Sequence, residues 1–429
     1  MIDSAPLISL LKIAGTFAVM LIAIRRRAPL WLAILLGGVA LSLLFGLSVP
    51  EMGGVFITAL TQQSFITLFL VIFCIMCLSE AQAATGQSKR LVASLAPYMR
   101  STRLQLAFFP ALVGLLPMPG GAVFSCPMIR DVSEQLDMRG SHKVLINYWF
   151  RHIWESAWPL YPGYILVCSL ANISPSVLWR YTFPFVFIAS FAGWYLLLKK
   201  PIKLQEGLAE PVAEKRPPLA VVMEALPIII AIGGALVIDS VTAGLLPSGS
   251  SFIISFIAAT AVALLQNKMS PVALAKLVFR PHVGKMLALI AVIFIFKEQV
   301  IAARVVDSLA PAMSGKAAML ALFLFLPILM GLLTGIMLGF VGAAFPLLMA
   351  LLTQTGSYED RLVYIMVGLA GGHFGQMISP MHACYLVTLE FFKVPLAATW
   401  GAIFKTSTLY IVLTLAYIAL LYFTVHPVI

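Results

Sequence analysis

With 429 residues, of which 61% are hydrophobic and 10% charged, the chain is far more apolar than a soluble protein, in which about a quarter of the residues are charged. The formal net charge of +11 would suit a nucleic-acid-binding protein, but the basic residues border apolar runs, and the mean hydropathy is +1.01. The composition therefore predicts a protein whose solvent is the lipid bilayer, without a soluble domain or a nucleic-acid partner.

Ten membrane crossings are predicted, because apolar runs of about 17 to 25 residues, enough to cross a ~30 Å hydrocarbon core, recur along the whole chain. They are about 5 to 23, 29 to 48, 64 to 83, a broken 141 to 172, 180 to 199, 220 to 238, 249 to 266, 285 to 303, a broken 361 to 392, and 399 to 425. The first run is predicted to be a retained span, since an acidic residue precedes it and three arginines follow it, the reverse of a signal peptide's charge order.

Two further apolar segments, about 104 to 131 and 317 to 354, have Gly-rich or Pro-rich middles. The entering arm of the first is about 21 Å of helix at 1.5 Å per residue, enough to pass the membrane midplane but not to cross. It must turn back, and PMPGG at 117 to 121 suits a turn, because Pro ends a helix and Gly accepts dihedral angles that other residues avoid. Both segments are therefore predicted to be re-entrant helical hairpins.

The Lys and Arg residues are distributed unequally between the two predicted sides of the membrane. With RRR at 25 to 27 placed in the cytoplasm, most of the 28 Lys and Arg residues fall on that side, as the positive-inside rule describes. The exceptions predicted outside are Arg180, Arg304, Lys316 and Arg361. The prediction is a multi-pass protein of the cell inner (cytoplasmic) membrane with both termini outside.

The two halves of the chain carry the same features in the same order. SLAPYM at 94 to 99 matches SLAPAM at 308 to 313, and each precedes an apolar arm that reaches GLL and then a small-residue stretch. HIWESAWPLYPGY at 152 to 164 matches HFGQMISPMHACY at 373 to 385, with His, Glu or Gln, Pro and Tyr at the same spacings. The common order, at a nearly constant offset along the chain, predicts an internal duplication.

The predicted fold is an all-α polytopic membrane protein made of two repeats. The first repeat covers 1 to 199, a cytoplasmic linker follows at 200 to 218, and the second repeat covers 219 to 429. Each repeat has five crossings, an odd number, so the second is inverted relative to the first, as in many secondary transporters. Each repeat holds one hairpin and one broken helix, and the first hairpin enters from the cytoplasm whereas the second enters from outside.

The hairpin tips and the helix breaks are predicted to meet near the midplane and to form one binding site. Helix N-termini at the tips present N–H groups and positive dipole ends that suit an anion, whereas carbonyl groups of the entering arms suit a cation. The candidate ligands at the tips are Pro119, Gly120, Gly121, Ser125, Thr334, Gly335 and Gly339. Those in the breaks are Arg151, His152, Glu155, His373, Gln376 and Ser379.

The polar residues of the breaks allow two interpretations. Arg151 and Glu155 are four residues apart on a helix, so they can form an internal salt bridge that makes both tolerable in a membrane. Alternatively, Arg151 holds a substrate carboxylate or Glu155 carries a proton. The matched residues His152 and His373 suit either hydrogen bonding within the protein or a proton relay. The tip hydroxyl groups are either ligands or caps of local backbone.

With SLAP motifs, hairpin tips and Pro-broken helices in both halves, the chain resembles the ion-transporter superfamily of secondary carriers, which includes gluconate, citrate, dicarboxylate and arsenite permeases. Within it, the chain is most similar to an uncharacterised integral-membrane family, domain of unknown function 401. The resemblance implies a scaffold domain that often dimerises, hence a homodimer, and a transport domain that moves as an elevator with solute and coupling ions at the tips. The tips here lack the asparagine of sodium-coupled dicarboxylate carriers, which favours coupling to protons.

The sequence therefore predicts a secondary active transporter of a small, anionic organic solute, driven by a proton or sodium gradient. The alternative is a cation/proton antiporter or an ion channel, since no residue specifically marks an organic ligand. An enzyme is not predicted, because nucleophile-elbow and phosphate-loop motifs are missing and the histidines lack the i, i+4 spacing of a zinc helix. No metal site and no cofactor is predicted beyond Na⁺ or H⁺ as coupling ion, and the predicted partners are the solute and the lipid bilayer.

Overall fold

The structure is a computed structural model, and it describes residues 5–95, 98–99, 101–115, 122–134, 136–199, 217–242, 249–305, 307, 315–354 and 360–425. These residues form an all-helical protein. Its helices are α1 (Ala5–Arg25), α2 (Leu30–Phe45), α3 (Val49–Thr61), α4 (Gln63–Ala84), α5 (Gln87–Leu95), α6 (Thr102–Gly114), α7 (Ala122–Ser133), α8 (Gly140–Arg151), α9 (Pro162–Ala171), α10 (Pro175–Thr182), α11 (Pro184–Gly193), α12 (Pro218–Ile229), α13 (Ala235–Thr242), α14 (Ser250–Gln266), α15 (Pro271–Val278), α16 (Pro281–Ala302), α17 (Lys316–Thr334), α18 (Met337–Gln354), α19 (Arg361–Met377), α20 (Ala383–Phe392) and α21 (Ala397–Val425). Single π-helical turns follow α11 and α12.

Six of the described helical stretches are long and apolar enough to cross a membrane. They are Ile8–Arg25, Gln63–Ala84, Pro175–Leu198, Pro218–Asp239, Lys316–Thr334 and Ala397–Thr424. Shorter apolar helices, among them α2, α9, α14, α18 and α20, lie between them. The chain is thus an all-helical, multi-pass membrane protein, in agreement with the fold class that the composition predicts.

The two segments predicted to be hairpins each contain a pair of helices. In the first segment α6 ends at Gly114 and α7 begins at Ala122, and residues 116–121 between them lie outside the described part of the chain. In the second segment α17 and α18 are joined directly at Gly335, whose φ is +65°. A Cβ atom on Gly335 would also lie 2.8 Å from the backbone nitrogen of His382, so both the dihedral angle and the packing require glycine.

The two segments predicted to be broken helices are interrupted where prolines stand. α8 ends at Arg151, residues 152–161 form turns, and α9 begins at Pro162. In the second half α19 ends at Met377 and α20 begins at Ala383. Pro162 lies in the first turn of α9 and Pro380 lies between α19 and α20, positions where the missing backbone N–H of proline costs no helical hydrogen bond, whereas α8 ends eight residues before Pro159.

The side chains of both breaks donate hydrogen bonds to carbonyl groups near the end of an entering hairpin arm. Tyr161 Oη donates to the carbonyl of Gly114, and Trp154 Nε1 donates to that of Ala111 at 2.8 Å. In the second half, Ser379 Oγ donates to the carbonyl of Leu332 at 2.6 Å. The carbonyl groups of Gly114 and Leu332 lie in the last turn of their helices, and these donors satisfy groups that a helix end would otherwise leave unpaired at membrane depth.

Glycines bring the hairpin arms and the broken helices into close contact. A Cβ on Gly375 of α19 would lie 2.1 Å from the carbonyl oxygen of Ile328 in α17, and one on Gly331 would lie 2.3 Å from that of Gly372. Helices approach this closely only where the side chains at the contact are small. The arms and the breaks are therefore packed backbone against backbone, which fixes the position of the polar groups between them.

Candidate functional site

The candidate site lies where the two helix breaks face each other in the interior. Gln376, near the end of α19, donates from Nε2 to the Oε2 of Glu155 in the first break. Both residues are buried, and they occupy matched positions 221 residues apart. Residues that correspond in the two halves of the sequence are thus hydrogen-bonded to each other.

Arg151, the last residue of α8, supplies the positive charge of this cluster and is only 4% exposed. Its Nη1 lies 3.1 Å from the Sγ of Cys384 and 3.3 Å from the Nε2 of His152. A guanidinium group presents a planar fork of donors that matches a carboxylate, and burial strengthens that interaction. Arg151 is therefore suited to hold an anionic group of a solute.

His152 connects the guanidinium and carboxylate groups of the cluster. Its Nδ1 lies 2.6 Å from the carbonyl oxygen of Tyr148, so a neutral ring carries its proton on Nδ1 and leaves Nε2 as an acceptor. That Nε2 faces Arg151 and is 3.8 Å from Oε1 of Glu155. Because 3.8 Å exceeds the about 2.6–3.2 Å of a direct hydrogen bond, proton exchange between Glu155 and His152 would pass through one water or follow a small movement of a side chain.

Three potential metal ligands meet in the same cluster. One donor atom each of His152, His382 and Cys384 lies within 4.8 Å of the others. The guanidinium of Arg151, however, contacts two of these donors, His152 Nε2 and Cys384 Sγ, and places a fixed positive charge where a cation would bind. The donor set therefore fits a metal ion poorly, and the absence of a metal site stays a prediction.

An aromatic and polar wall surrounds the cluster. The ring of Tyr148 stacks on that of Tyr385 at a centroid distance of 4.4 Å, and Tyr148 Oη donates to the carbonyl of Met377 at 3.0 Å. Asn147 Nδ2 donates to Thr388 Oγ1 at 3.2 Å. Asn147 also lies 3.2 Å from the sulfur of Cys126, which brings the returning arm α7 of the first hairpin to the cluster.

Two buried amide oxygen atoms at the cluster accept no hydrogen bond within the described part of the chain. They are the Oε1 of Gln376 and the Oδ1 of Asn147. Buried polar atoms are nearly always paired, so unpaired ones are explained by a ligand, an ion or water. These acceptors give the cluster capacity for the donor groups of a solute beside the guanidinium fork.

The other predicted site residues have different surroundings. The hydroxyl of Thr334 donates to the carbonyl of Met330 at 2.7 Å, and that of Ser125 to the carbonyl of Ala122 at 3.5 Å, so both hydroxyls cap local backbone. Gly339 packs against Thr334.

The matched histidines lie in different places. The ring of His373 packs at 5.1 Å from that of Tyr410 in α21, so it faces this long helix, whereas His152 joins the cluster. Pro119, Gly120 and Gly121 lie outside the described residues.

Several residues of the cluster were not among the predicted ligands. His382 and Cys384 come from the second break, whereas Tyr148 and Asn147 precede Arg151 on α8. One signal for the last two is helical spacing, since residues three and four positions before Arg151 lie on its face of α8. His382 stands six residues after Gln376 in the predicted break, but its contact with His152, at a ring distance of 4.5 Å, is a tertiary one.

Similarity to known proteins extends over almost the whole chain. The model of a family described as "Protein of unknown function (DUF401)" matches residues 5–425. No curated protein sequence matches the chain. The YdaH transporter of Alcanivorax borkumensis, whose crystal structure has an unusual topology, is similar with a TM-score of 0.61 at 15% identity, covering 87% of this chain and 90% of that one.

A second solved structure, MtrF of Neisseria gonorrhoeae, is similar with a TM-score of 0.56 at 12% identity, covering 88% of this chain and 86% of that one. MtrF represents a class of antimetabolite efflux pumps. At these identities the likeness shows a shared fold alone. The wider resemblance to the ion-transporter superfamily stays a prediction.

Proposed function

The chain belongs to the DUF401 family, and from this membership, its fold and the buried cluster we propose that it is a secondary active transporter of a small, anionic organic solute. In this proposal a proton or sodium gradient drives the solute, and the hairpins and broken helices move as an elevator. The ten crossings, the inverted repeats, the location in the inner membrane with both termini outside, and the homodimer belong to the same proposal.

The observation that carries the proposal is the bond between Gln376 and Glu155 beside the guanidinium of Arg151. Two residues at matched positions of a duplicated chain touch each other only near the axis that relates the two copies. Transporters built from inverted repeats bind solute and coupling ions near that axis, at discontinuous helices. Arg151 provides the attraction for an anion, and the pair of Glu155 and His152 provides a carrier for the proton.

Equivalent contacts in the two halves support the duplication. Gly114 packs against the carbonyl of Arg151, and Gly331 packs against that of Gly372, the position that matches Arg151 in the second half. The helix after each break ends in the same way, with a left-handed residue at Asn172 in the first half and at Lys393 in the second.

Matched tyrosines add to this support. Tyr164 Oη lies 2.8 Å from Thr182 Oγ1 on the following helix, and Tyr385 Oη lies 2.6 Å from Thr399 Oγ1 on its own following helix. The two tyrosines are separated by the same offset that relates Glu155 to Gln376. Repeated contacts of backbone and side chain at nearly constant offsets favour two copies of one folding unit.

A cation/proton antiporter or ion channel is the second candidate. The close approach of Glu155 Oε1 and His152 Nε2, 3.8 Å apart, favours it, because proton-exchanging groups are needed in such a protein without any organic solute. The buried guanidinium of Arg151 argues against it, since a fixed positive charge at the centre of the site repels a passing cation.

Thermal unfolding of detergent-purified protein with a panel of carboxylates, sugar acids and oxyanions tests the proposal. A ligand that binds the folded state stabilises it by about 2.7 kcal/mol at a concentration about 100 times its Kd. We expect at least one organic anion to raise the unfolding temperature, and sodium and potassium buffers at two pH values to identify the coupling ion. Stabilisation by sodium or by pH alone, with no effect of any anion, would support the antiporter instead.

Glu155→Gln is expected to abolish accumulation of the solute but to leave exchange of solute across the membrane intact. Glutamine can still accept the hydrogen bond from Gln376 Nε2, so the break should keep its geometry, but it cannot release a proton. If a proton moves inward with the anion, wild-type uptake rises as the external pH falls. The variant should show uptake that no longer depends on pH and no accumulation, while exchange of labelled for unlabelled solute continues in proteoliposomes.

Glu80→Gln is the matched control for this experiment. Glu80 is buried to a similar degree, but it pairs with His282 at 2.7 Å, away from the breaks. Its replacement should leave the pH dependence of uptake intact. Equal pH dependence in wild type and Glu155→Gln would rule out Glu155 as the proton carrier.

A further inference from the structure

A cavity opens between the C-terminal ends of helices α9, α16 and α18. Its volume is about 330 Å³, and its polar lining comes from Lys297, Arg304, Asp307 and Thr353. An adjoining cavity of about 280 Å³ shares Thr353 with it and adds Arg361. These two cavities together are here named the vestibule.

Cations outnumber carboxylates in the vestibule. Among the described residues that line it, Lys297, Arg304 and Arg361 are basic and Asp307 is acidic. Glu298 pairs with Lys297 at 3.3 Å beside the vestibule. A concave surface with an excess of one sign raises the local concentration of ions of the other sign.

Two of these cations are exceptions to the charge asymmetry of the sequence. Arg304 and Arg361 are predicted on the outer side, where the positive-inside rule disfavours Lys and Arg near membrane spans. The structure brings both to the vestibule, together with Lys297 from within a predicted span. Both arginines are thus predicted on the side of the membrane where the positive-inside rule disfavours them. Their meeting at one cavity is explained by a role at that cavity.

The backbone at Arg304 makes glycine a suitable replacement for this residue. Arg304 follows α16 with φ of 47°, in the left-handed region that glycine adopts most easily. Gly86 stands in the same place after α4, with φ of 70°. Arg304→Gly therefore removes the charge where the backbone conformation favours glycine.

The vestibule lies at the far end of a helix that begins at the candidate site. Helix α9 starts at the first break with Pro162 and runs about 14 Å, at 1.5 Å per residue, to Ala171 in the vestibule wall. At its start, a Cβ on Gly163 would lie 2.7 Å from the Cγ of Met337 in α18. The seam between α9 and α18 therefore leads from the vestibule towards the breaks and is closed by packing at its inner end.

We propose that the vestibule is an outer collecting site for organic anions, which its cations attract before the solute passes to the cluster around Arg151. The inference rests on the proposed transport of an anion and adds the side and the seam by which the solute approaches. The groups it would recognise are carboxylates and other oxyanions, because guanidinium and ammonium groups bind them in preference to neutral solutes.

The test uses charged thiol reagents, so it needs no identified solute. Thr353→Cys places a thiol in the vestibule at an exposed position. The rate of its modification by anionic sulfonatoethyl methanethiosulfonate is compared with that by the cationic trimethylammonioethyl reagent, and mass spectrometry separates position 353 from the native cysteines. The ratio of the two rates should fall about twofold for each of Arg304→Gly and Arg361→Gln, as expected for one charge several ångströms away in water.

Controls separate this charge effect from a change of fold. Arg180→Gln removes another cation predicted on the outer side that does not line the vestibule, and it should leave the ratio unchanged. Arg304→Gly relieves the backbone strain and should unfold at the same temperature as wild type or higher. The inference would be overturned by a rate ratio that is unchanged in both Arg304→Gly and Arg361→Gln, or by a thiol at position 353 that neither reagent modifies. The proposed transport would still be judged by the anion panel.

Discussion

Arg151→Gln is expected to abolish anion binding and transport. The guanidinium is the buried cation of the cluster, and removing one partner of a buried, charge-assisted interaction typically costs about 2–5 kcal/mol or more, which corresponds to a loss of affinity of about 30-fold or greater. The measurement is the stabilisation of the purified variant by the anion that stabilises the wild type, followed by uptake in proteoliposomes. Arg151→Lys keeps the charge but loses the planar fork, so it should retain a small part of the affinity.

Arg90→Gln is the matched control for the loss at Arg151. Arg90 is less deeply buried than Arg151 and pairs with Glu224 at 2.8 Å, and it lies away from both helix breaks. Its replacement should leave anion binding within about threefold of wild type, since a partly exposed ion pair contributes at most about 1 kcal/mol. Wild-type affinity in a folded Arg151→Gln protein would show that the anion binds elsewhere.

Gly375→Ala is expected to prevent correct packing of the hairpin arm against the broken helix. The added Cβ would lie 2.1 Å from the carbonyl oxygen of Ile328 and 2.8 Å from its carbonyl carbon, and backbone atoms cannot move aside as a flexible side chain can. Overpacking of this kind costs about 1–3 kcal/mol and occasionally more. We expect the unfolding temperature to fall by several degrees at least, with less folded protein recovered from membranes.

Gly401→Ala makes the same chemical change in α21 with open space around the new methyl group. It should leave the unfolding temperature unchanged or raise it slightly, because alanine favours a helix more than glycine does. Equal stability of the two variants would mean that α17 and α19 are not in backbone contact, and the proposed geometry of the site would not hold.

Much of the architecture around the site follows from local chemistry that is legible in the sequence. In the second half the interruption contains Pro380, three residues after α19 ends at Met377, and in the first half α9 restarts with Pro162 in its first turn, where proline is well accepted. The end of α8 at Arg151 does not follow from a proline in the same way, because Pro159 stands eight residues later. Gly335 marks the turn of the second hairpin, because it supplies a left-handed dihedral angle without strain.

Short helices between the crossings are harder to predict because they are not apolar along their whole length. Helix α3 begins at Val49, directly after its N-cap Ser48, whose side chain forms a reciprocal cap with that of Glu51. The residues SVPE at 48 to 51 carry this capping signature, so the start of α3 can be predicted from the sequence.

Which side chains meet at the cluster does not follow from the sequence in the same way. Cys384 reaches Arg151 and His382 reaches His152 because α8 and α20 pack together in the folded protein, a contact that no local spacing encodes. Conversely, Thr334 satisfies the backbone of its own helix, because a hydroxyl in a membrane finds the nearest carbonyl first. The matched sequence stretches at 152 to 164 and 373 to 385 supply residues of the cluster, whereas the other side chains that join it depend on packing between helices.

The most direct test of the proposed function is uptake of the best-stabilising organic anion by purified protein in proteoliposomes, with and without an imposed proton or sodium gradient. The proposal predicts accumulation above the external concentration when one of these gradients is imposed, no accumulation without it, and no uptake by Arg151→Gln. Movement of protons or sodium ions under the same gradients, without uptake of the organic anion, would contradict the proposal and would identify an antiporter or a channel.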